Sequence, residues 1–581
     1  MEFDFILESP LVYDGTGQKP FRKDVGVANG KVADIGDLSQ AQAKTRIPAR
    51  DLAVCPGFID VHTHADLALH RPEAASILEP LVRQGITTFI GGNCGVALGP
   101  ISDRHPDMQF EFFDIFMGGD QRKYVTWQGF GEMLEALQAP GLVQNVGILA
   151  PHGMIRSHAM GDDTRLAEPR DIAIMKKALA GCMEAGAFGL STGLMYFPGL
   201  CSDERELLEL GRVVHDYNGV FTSHLRSYNS DTLANAMDEV LTVGRKAEIP
   251  VQISHLFWVP NFPQPWGYLA KKAVKALSAA YNLRPFPFPI AGATRPYLEK
   301  VADLVDQGFP VGVDAMPTSA GFTHLFAFFP PWSLQGGMKS ILARIADPAT
   351  RKEIKRSIEK GKPVWPHRDR DAWSMNLFKV MGWDCAYVMS VASDENQHLV
   401  GKNFVEIGRE TGKHPFDAAC DLALEESGRV LIFETATYPG DPFVELSLKE
   451  TLVDKNVSIA TDTIPMVHGR PSHLTYDCYP KFLSRYTGDK GFIPLQEGIR
   501  KCTSLPASQL GVPLRGTVAP GYWADLVVFS PARLGTNSTA LDPEHFPPGI
   551  EYVLVNGEIV VDPQGYHPER RPGRMMRRGE G

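Results

Sequence analysis

The sequence predicts an α/β protein: a (β/α)8 barrel bracketed by a small β-domain made from both ends of the chain. Three observations carry this. The middle of the chain alternates strand-like apolar runs with helix-like stretches, the pattern of a parallel α/β sheet. Eight such runs occur, at residues 57–64, 87–92, 145–150, 188–192, 220–224, 251–255, 311–315 and 457–462, the number a (β/α)8 barrel needs. Both chain ends read as short strands around hairpin dipeptides, Asp14-Gly15 and Asn29-Gly30 at one end and Asn556-Gly557 at the other.

In chain order, residues 1–55 form the first part of the β-domain. Residues 56–500 form the barrel, with helical runs at 171–185, 204–217 and 232–247 between strands. The stretch 325–440, between the seventh and eighth strands, is too long for a plain connection. It holds helical pieces at 347–360, 401–411 and 415–426, the first opening on Asp347-Pro348, a capping residue followed by a proline suited to the first helical position. This insertion either covers the barrel mouth or packs outside it. Residues 501–581 complete the β-domain, with 524–529 and 552–555 as strands. The basic Gly/Pro-rich tail from Pro568 is expected to be partly disordered or laid over the surface.

Composition narrows the function classes. The 581 residues are ample for a large core, and 44% hydrophobic with 22% charged residues is ordinary for a globular protein. A net charge of -10, from 58 basic and 68 acidic residues, argues against nucleic acid or an anionic membrane as the main partner. The first residues, Met1 to Phe5, lack the basic region and apolar stretch of a signal peptide. No apolar run reaches the roughly 18 residues of a membrane helix. Eight scattered cysteines without a C-x-x-C pair read as reduced thiols of a cytoplasmic protein.

The chemistry gathers at the strand ends. In Asp60-Val61-His62-Thr63-His64 the two histidines are two residues apart, so on a strand they share a face and can hold one ion. On a helix they would point about 200° apart. Cys94 follows the second strand, His152 the third, and His224 and His255 end the fifth and sixth. Asp462 ends the eighth. Each alone has a bland explanation, as a solvated histidine or a buried packing thiol. His62, His64, Cys94, His224 and His255, five nitrogen or sulfur donors, with the Asp462 carboxylate at one barrel mouth, where such barrels keep their active sites, do not. A thiolate among imidazoles favours Zn2+ over Mg2+ or Ca2+.

These residues sit in segments that resemble a known family. They include Pro56-Gly57-Phe58-Ile59-Asp60-Val61-His62-Thr63-His64-Ala65-Asp66, Gly91-Gly92-Asn93-Cys94-Gly95, His152-Gly153-Met154-Ile155-Arg156 and Leu190-Ser191-Thr192-Gly193-Leu194-Met195-Tyr196. Ser223-His224-Leu225-Arg226, Ile253-Ser254-His255, Pro330-Pro331-Trp332, Thr461-Asp462, residues 516–526 and Arg571-Pro572-Gly573-Arg574 continue the match. Over nearly its whole length the chain resembles the amidohydrolase superfamily, and within it the N-acyl-D-amino-acid deacylase (D-aminoacylase) family. The cysteine after the second strand is the specific mark. Hydantoinase-like relatives use a carboxylated lysine from the fourth strand, and residues 188–196 contain no lysine here.

The resemblance implies a TIM barrel of the metal-dependent hydrolase type with a β-sandwich built from both termini. It implies a tightly bound zinc on Cys94, His224 and His255, a second, weaker metal position at His62 and His64, and Asp462 as catalytic acid/base. Tyr196 and His152 would hydrogen-bond the oxyanion, or serve only as a strand-end aromatic and a supporting histidine. Arg226 would bind a substrate carboxylate or pair with an acidic neighbour. The implied partner is a small-molecule substrate, with homo-oligomer formation a further expectation.

The chain departs from the family in carboxylate recognition. Phe257 stands where the family has a lysine, residues 315–322 replace a Tyr-Pro-Tyr segment, and Arg470 is the nearest match to a His-Pro-Arg arginine. Aromatic residues follow instead: Phe257, Trp258, Phe262 and Trp266 after the sixth strand, and Phe322, Phe326, Phe328, Phe329 and Trp332 after the seventh. They suggest a wide apolar pocket for a bulky group, or they anchor the insertion. The leading expectation is therefore zinc-dependent hydrolysis of a linear amide, most simply an N-acyl-D-amino acid. The alternative is the same chemistry on a bulky hydrophobic amide, ester or cyclic amide without a free carboxylate. The complete ligand set argues against a non-catalytic scaffold, and the His-x-x-Glu arrangement of a deaminase is missing after the fifth strand.

Overall fold

The computed structural model describes residues 2–261, 266–286, 292–362, 364–365, 370–371, 373–466, 468–488 and 491–580. Parallel strands dominate the middle of the chain. One sheet orders Asn145–Ile148, Ile86–Gly91 and Phe58–Asp60. A second orders Ala150–Pro151, Gly189–Gly193, Val220–His224, Val251–Ile253, Val311–Ala315 and Val457–Ile459, every pair parallel. Backbone hydrogen bonds link the two sheets at both flanks. Leu149 N donates to Gly91 O (3.0 Å) and Phe188 N to Ile148 O (3.0 Å) on one side. On the other, Asp462 N donates to His62 O (2.8 Å) and His64 N to Thr463 O (2.8 Å). Tyr479, buried on the helix Leu474–Tyr486, adds hydroxyl contacts to Ile59 O (3.2 Å) and Ile459 O (3.1 Å).

The strands are buried along their length, as expected of parallel strands covered on both faces. Between them run helices such as Pro169–Glu184, Glu204–Asp216 and Leu233–Ala247. Glu204–Asp216 starts at Asp203, whose carboxylate accepts from Glu206 N at 2.9 Å and satisfies a free first-turn donor.

The strands ending at Asp60, Ile253 and Ile459 stop before the donor residues that their apolar runs include. The chain then leaves the ladder. His255 and Asp462 take φ values of 33° and 48°, and Cys94, past the second strand, takes 53°. Regular β-strands keep φ negative, so these residues stand outside the ladder. His62 and His64 thus lie beyond their strand, and strand alternation is not what brings them together.

The insertion has a sheet of its own, starting slightly earlier than the sequence reading, at Gly321. Gly321–His324 and Ala386–Val391 flank a central Val430–Glu434, both antiparallel to it. Its helix Pro348–Lys360 is capped by Asp347, which accepts from Thr350 N at 2.8 Å. Phe404–Thr411 begins with a reciprocal box between Asn403 and Glu406.

At the chain ends, a four-stranded sheet orders Lys31–Gly36, Asp24–Ala28, Phe3–Glu8 and Ala43–Pro48. A seven-stranded sheet draws on both ends: Leu526–Phe529 pairs antiparallel with Ala53–Pro56. One apolar cluster takes Phe5, Leu7 and Val27 from the first sheet and Val54, Leu526 and Leu554 from the second. The tail is ordered. Val146 N donates to Arg574 O (2.9 Å) and Met576 N to Val146 O (2.7 Å), so it runs along an edge left by the Asn145–Ile148 strand. No helix among the described residues is long and apolar enough to cross a membrane.

Candidate metal centre

The turn at Asn93–Gly95 aims the Cys94 thiol into the ends of the parallel strands. Gly92, at φ 76°, makes the turn possible, and a Cβ there would meet Leu149 O at 2.4 Å. Asn93 Nδ2 donates to Ile90 O (2.8 Å), with longer contacts to Val61 O and Thr63 O (3.4 Å each), tying this turn to the segment that carries the histidine pair. Cys94 Sγ lies 3.4 Å from His62 Nε2, 3.6 Å from His224 Nδ1 and 3.9 Å from His255 Nε2. Asp462 Oδ1 lies 3.4 Å from His62 Nε2 and 3.5 Å from His64 Nε2.

Two donor groups therefore emerge among the described residues, His62–Cys94–His255 and His62–His64–Asp462. His224 joins the first through its contact with the thiol. His62 belongs to both, whereas the sequence reading placed it only in the second. All six residues lie together at the ends of the parallel strands.

Electrostatics prepare the group for a cation. Burial pushes the His62 and His224 imidazoles well below their ordinary value, and lowers His255 too, so all three stay neutral donors. Burial and the charges of Asp462 and Asp314 push the Cys94 thiol well above its ordinary value, so a thiolate there needs a counter-charge. Burial works to raise the Asp462 carboxyl, but His62, His64 and His255 outweigh it and hold it below the usual range.

The chain matches the model of the family described as "Amidohydrolase family" over residues 454–561. It is 28% identical over 578 residues to a D-aminoacylase of Alcaligenes xylosoxydans xylosoxydans, covering 99% of this chain and 98% of that one. A solved D-aminoacylase, described with a binuclear metal centre, one-metal activation and second-metal attenuation, superposes with a TM-score of 0.73. It is 26% identical, over 99% of this chain and all of that one. An N-acyl-D-glutamate deacylase of Bordetella bronchiseptica, solved with zinc and a phosphonate mimic of the tetrahedral intermediate, gives a TM-score of 0.74 at 25% identity, again over 99% and 100% of the two chains. Over nearly its whole length the chain is thus similar to amidohydrolases of the D-aminoacylase type. It is a hydrolase of carbon–nitrogen bonds other than peptide bonds.

Sequence reasoning missed two residues that hold this amidohydrolase's histidines in place. Asp314 Oδ1 accepts from His255 N (2.7 Å) and lies 3.5 Å from His62 Nδ1, while Oδ2 accepts from Gln252 (2.9 Å). Tyr228 Oη lies 3.0 Å from His255 Nδ1, leaving Nε2 for the thiol side. Asp314 was visible as a carboxylate inside an apolar strand; Tyr228 carried no signal. Asp60 supports the opposite side: its carboxylate accepts from Thr461 N (3.1 Å) and Thr461 Oγ1 (2.6 Å). Burial pushes both Asp60 and Asp314 up to about 7.

Tyr196 stands 4.7 Å, ring to ring, from His224. Burial keeps its hydroxyl well above the usual value, hence protonated, with the Thr323 side chain as its partner. His152 is buried with Nε2 2.8 Å from Glu206 Oε1, and Arg156 pairs with the other Glu206 oxygen. Its Nδ1 has no partner.

The expected substrate-binding residues fare differently in the amidohydrolase. Phe257 lies beside the centre, its ring stacked on Tyr228 at 4.1 Å. Arg226 takes the second of its two alternatives: it is 2% exposed and clamped by Glu239 (2.9 and 3.0 Å) and Leu200 O (2.7 Å). Phe322 packs on Phe433 inside the inserted sheet, 5.3 Å away. Arg470 bonds through its N to Met389 O (2.8 Å) and lines a separate cleft with Gln397 and Leu541. These three do not join the histidine cluster, because each is already packed or paired elsewhere.

The aromatic run mostly anchors the insertion. Phe326 packs on Phe329, Phe328 on Phe378 and Phe329 on Phe416. Trp332 lies under Arg370, and Trp266 is 66% exposed. Phe262 lies outside the described residues. Phe326 alone of these lines the cavity that opens beside Cys94 and Tyr196. Other apolar groups complete that cavity, notably Met108, Phe112, Met154, Phe197 and Met338.

Proposed function

We propose that the chain is a zinc-dependent amidohydrolase cleaving a linear amide, most simply an N-acyl-D-amino acid with an apolar acyl group. The convergence of Cys94, His62, His224, His255, His64 and Asp462 carries this reading. Tetrahedral zinc with ligands at about 2.0–2.3 Å sets sulfur and nitrogen donors about 3.5 Å apart. The thiol-to-imidazole distances of 3.4, 3.6 and 3.9 Å fit that spacing. Cys94, His224 and His255 would hold the tight ion, with His62 between it and a weaker position at His64. We read the eight parallel strands as a closed (β/α)8 barrel spanning about 56–500, and the terminal sheets, 1–55 and 501–581, as a β-sandwich.

Bound zinc lowers the pKa of water and polarises the scissile carbonyl. Asp462, ionised and aimed by His62 and His64, takes the proton of the attacking water and returns one to the leaving nitrogen. Tyr196, kept protonated by burial, donates to the developing oxyanion. His152 keeps only Nδ1 for such a role, since Glu206 occupies Nε2. The apolar cavity beside Cys94 takes the acyl group, which suits large or aromatic acyl chains.

A second reading removes the free carboxylate from the substrate. Phe257 and the Glu239-bound Arg226 favour it, because an anion left without a cation or donors is costly to bury.

The deciding experiment is amine release from paired N-acyl-D- and N-acyl-L-amino acids by zinc-loaded protein, with short and aromatic acyl groups and Asp462→Asn as blank. D-selective release that depends on Asp462 and rises with acyl size is expected. Release surviving in Asp462→Asn sinks the mechanism. Silence on this panel with turnover of hydrophobic amides, esters or lactams selects the second reading.

A further inference from the structure

One carboxylate in the inserted sheet has no partner for its buried oxygen. Glu434 ends the central strand Val430–Glu434, in register with Gly321 on one side and Ala386 on the other. Ile432 is in register with Thr323. Residues directly opposite in an antiparallel ladder share a face, as do residues two apart along a strand. Glu434 and Thr323 therefore lie on one face of this sheet. Thr323 is the partner of the Tyr196 hydroxyl, so that face is the one turned toward the metal centre. The charge of Asp462 is felt at Glu434, and that of Glu434 at Tyr196.

The fold makes room for this carboxyl and then leaves it alone. A Cβ at Gly321 would stand 2.5 Å from Glu434 Oε1, so glycine there opens its space. Glu434 Oε2 is buried and has no hydrogen-bond partner among the described residues. Burial and the Asp462 charge push the carboxyl up to about 8, as happens when no counter-charge is supplied.

We propose that Glu434 is a specificity residue that accepts a hydrogen bond from a cationic nitrogen, an ammonium or guanidinium, on the leaving-amine part of the substrate. The inference rests on the amide-hydrolysis reading for the word leaving. It follows from the asymmetry of hydrogen bonding: an unpaired buried acceptor is costly, and a charged partner repays it with a strong, short bond. Glu434 does not line the apolar cavity beside Cys94, so acyl group and cation occupy different parts of the site.

The test uses isosteric pairs on zinc-loaded, full-length protein. Calorimetry compares n-butylguanidinium with n-butylurea, and kinetics compare N-acetyl-D-arginine with N-acetyl-D-citrulline. Wild type is expected to favour the guanidinium member by about tenfold or more in Kd and in kcat/KM, the size of a charge-assisted bond. Glu434→Gln collapses both ratios toward one, and Gly321→Ala, which crowds the carboxyl, reduces them. Glu434→Asp retains part of the preference. Equal ratios in wild type and Glu434→Gln overturn the proposal, as does a preference for the neutral member. Guanidinium preference in binding without hydrolysis of either amide overturns the N-acyl-amino-acid reading, and with it the leaving-amine placement, and leaves Glu434 as a cation receptor. Hydrolysis of both amides at equal efficiency overturns the Glu434 assignment alone.

Discussion

Asp462 stands against His62 and His64 in a left-handed backbone conformation, which few non-glycine residues adopt without cost. Its value to the molecule is therefore in its position. Asp462→Asn keeps the shape but cannot take a proton, so amine release should fall by about 10²–10⁴-fold. Zinc content, read by metal analysis, should persist through Cys94, His224 and His255. Loss of activity together with all the metal would instead make Asp462 a ligand first. Phe257, stacked on Tyr228, permits a gain-of-function test: Phe257→Lys should raise turnover of N-acetyl-D-amino acids if pocket polarity sets the substrate. No change, or a fall, would count against that. Acid gives a third test. Burial depresses the folded-state pKa of His62, His224 and His255 below 6.5, so protons compete for these donors only below that value. Zinc should stay bound through pH 7 and leave on acidification beneath about 6.5, measured on gel-filtered samples across a pH series. Loss beginning above that value would assign the competition to the Cys94 thiol, which burial holds well above its ordinary value, and not to the imidazoles.

The strands and most helices were legible because apolar runs and capping residues are local signals, as at Asp347-Pro348. The donors were legible because each follows such a run. Strand ends were not, since the positive φ of His255 and Asp462 depends on contacts across the mouth. The inserted sheet was also hidden, because Gly321–His324 pairs with a strand more than a hundred residues later. For that reason Phe322 read as pocket lining. A run of phenylalanines has the same appearance in a pocket wall and in a core, and only the partner, Phe433, decides. That pair gives an element-scale prediction. Phe433→Ala empties a site that is 2% exposed and should cost about 3–5 kcal/mol, read as a lower denaturation midpoint. The same sheet brings Thr323 to Tyr196, so kcat should fall with it, and Phe433→Leu should recover most of both. Unchanged kcat in a destabilised Phe433→Ala would show that the sheet covers the site without helping to build it.

The chain ends and the parallel strands meet at one buried carboxylate, Asp525. It accepts from Asn145 Nδ2 (3.3 Å), on a strand of the central sheet, and from Asn556 N (2.7 Å), in the terminal hairpin. Arg515 pairs with it, and its own carbonyl accepts from Gly57 N (2.7 Å), at the entry to the first parallel strand. Asn556 Nδ2 extends the junction to Asn145 Oδ1 (2.8 Å) and to Pro572 O (2.7 Å) in the tail. The Asp525 side chain thus fastens Asn145, Arg515 and Asn556 together, and its backbone carbonyl adds Gly57. Removing it leaves the Arg515 guanidinium buried without an acid, and breaking a buried pair this way costs about 3–5 kcal/mol. Asp525→Ala should therefore lower the urea midpoint by that equivalent, with the terminal sheets and the central strands still unfolding in one transition. The double change Arg515→Met with Asp525→Leu should recover much of the loss, because no orphan charge remains. A loss under about 0.5 kcal/mol for Asp525→Ala, the range of an ordinary surface change, would mean that the apolar cluster between the terminal sheets, and not this junction, couples the ends of the chain to its centre.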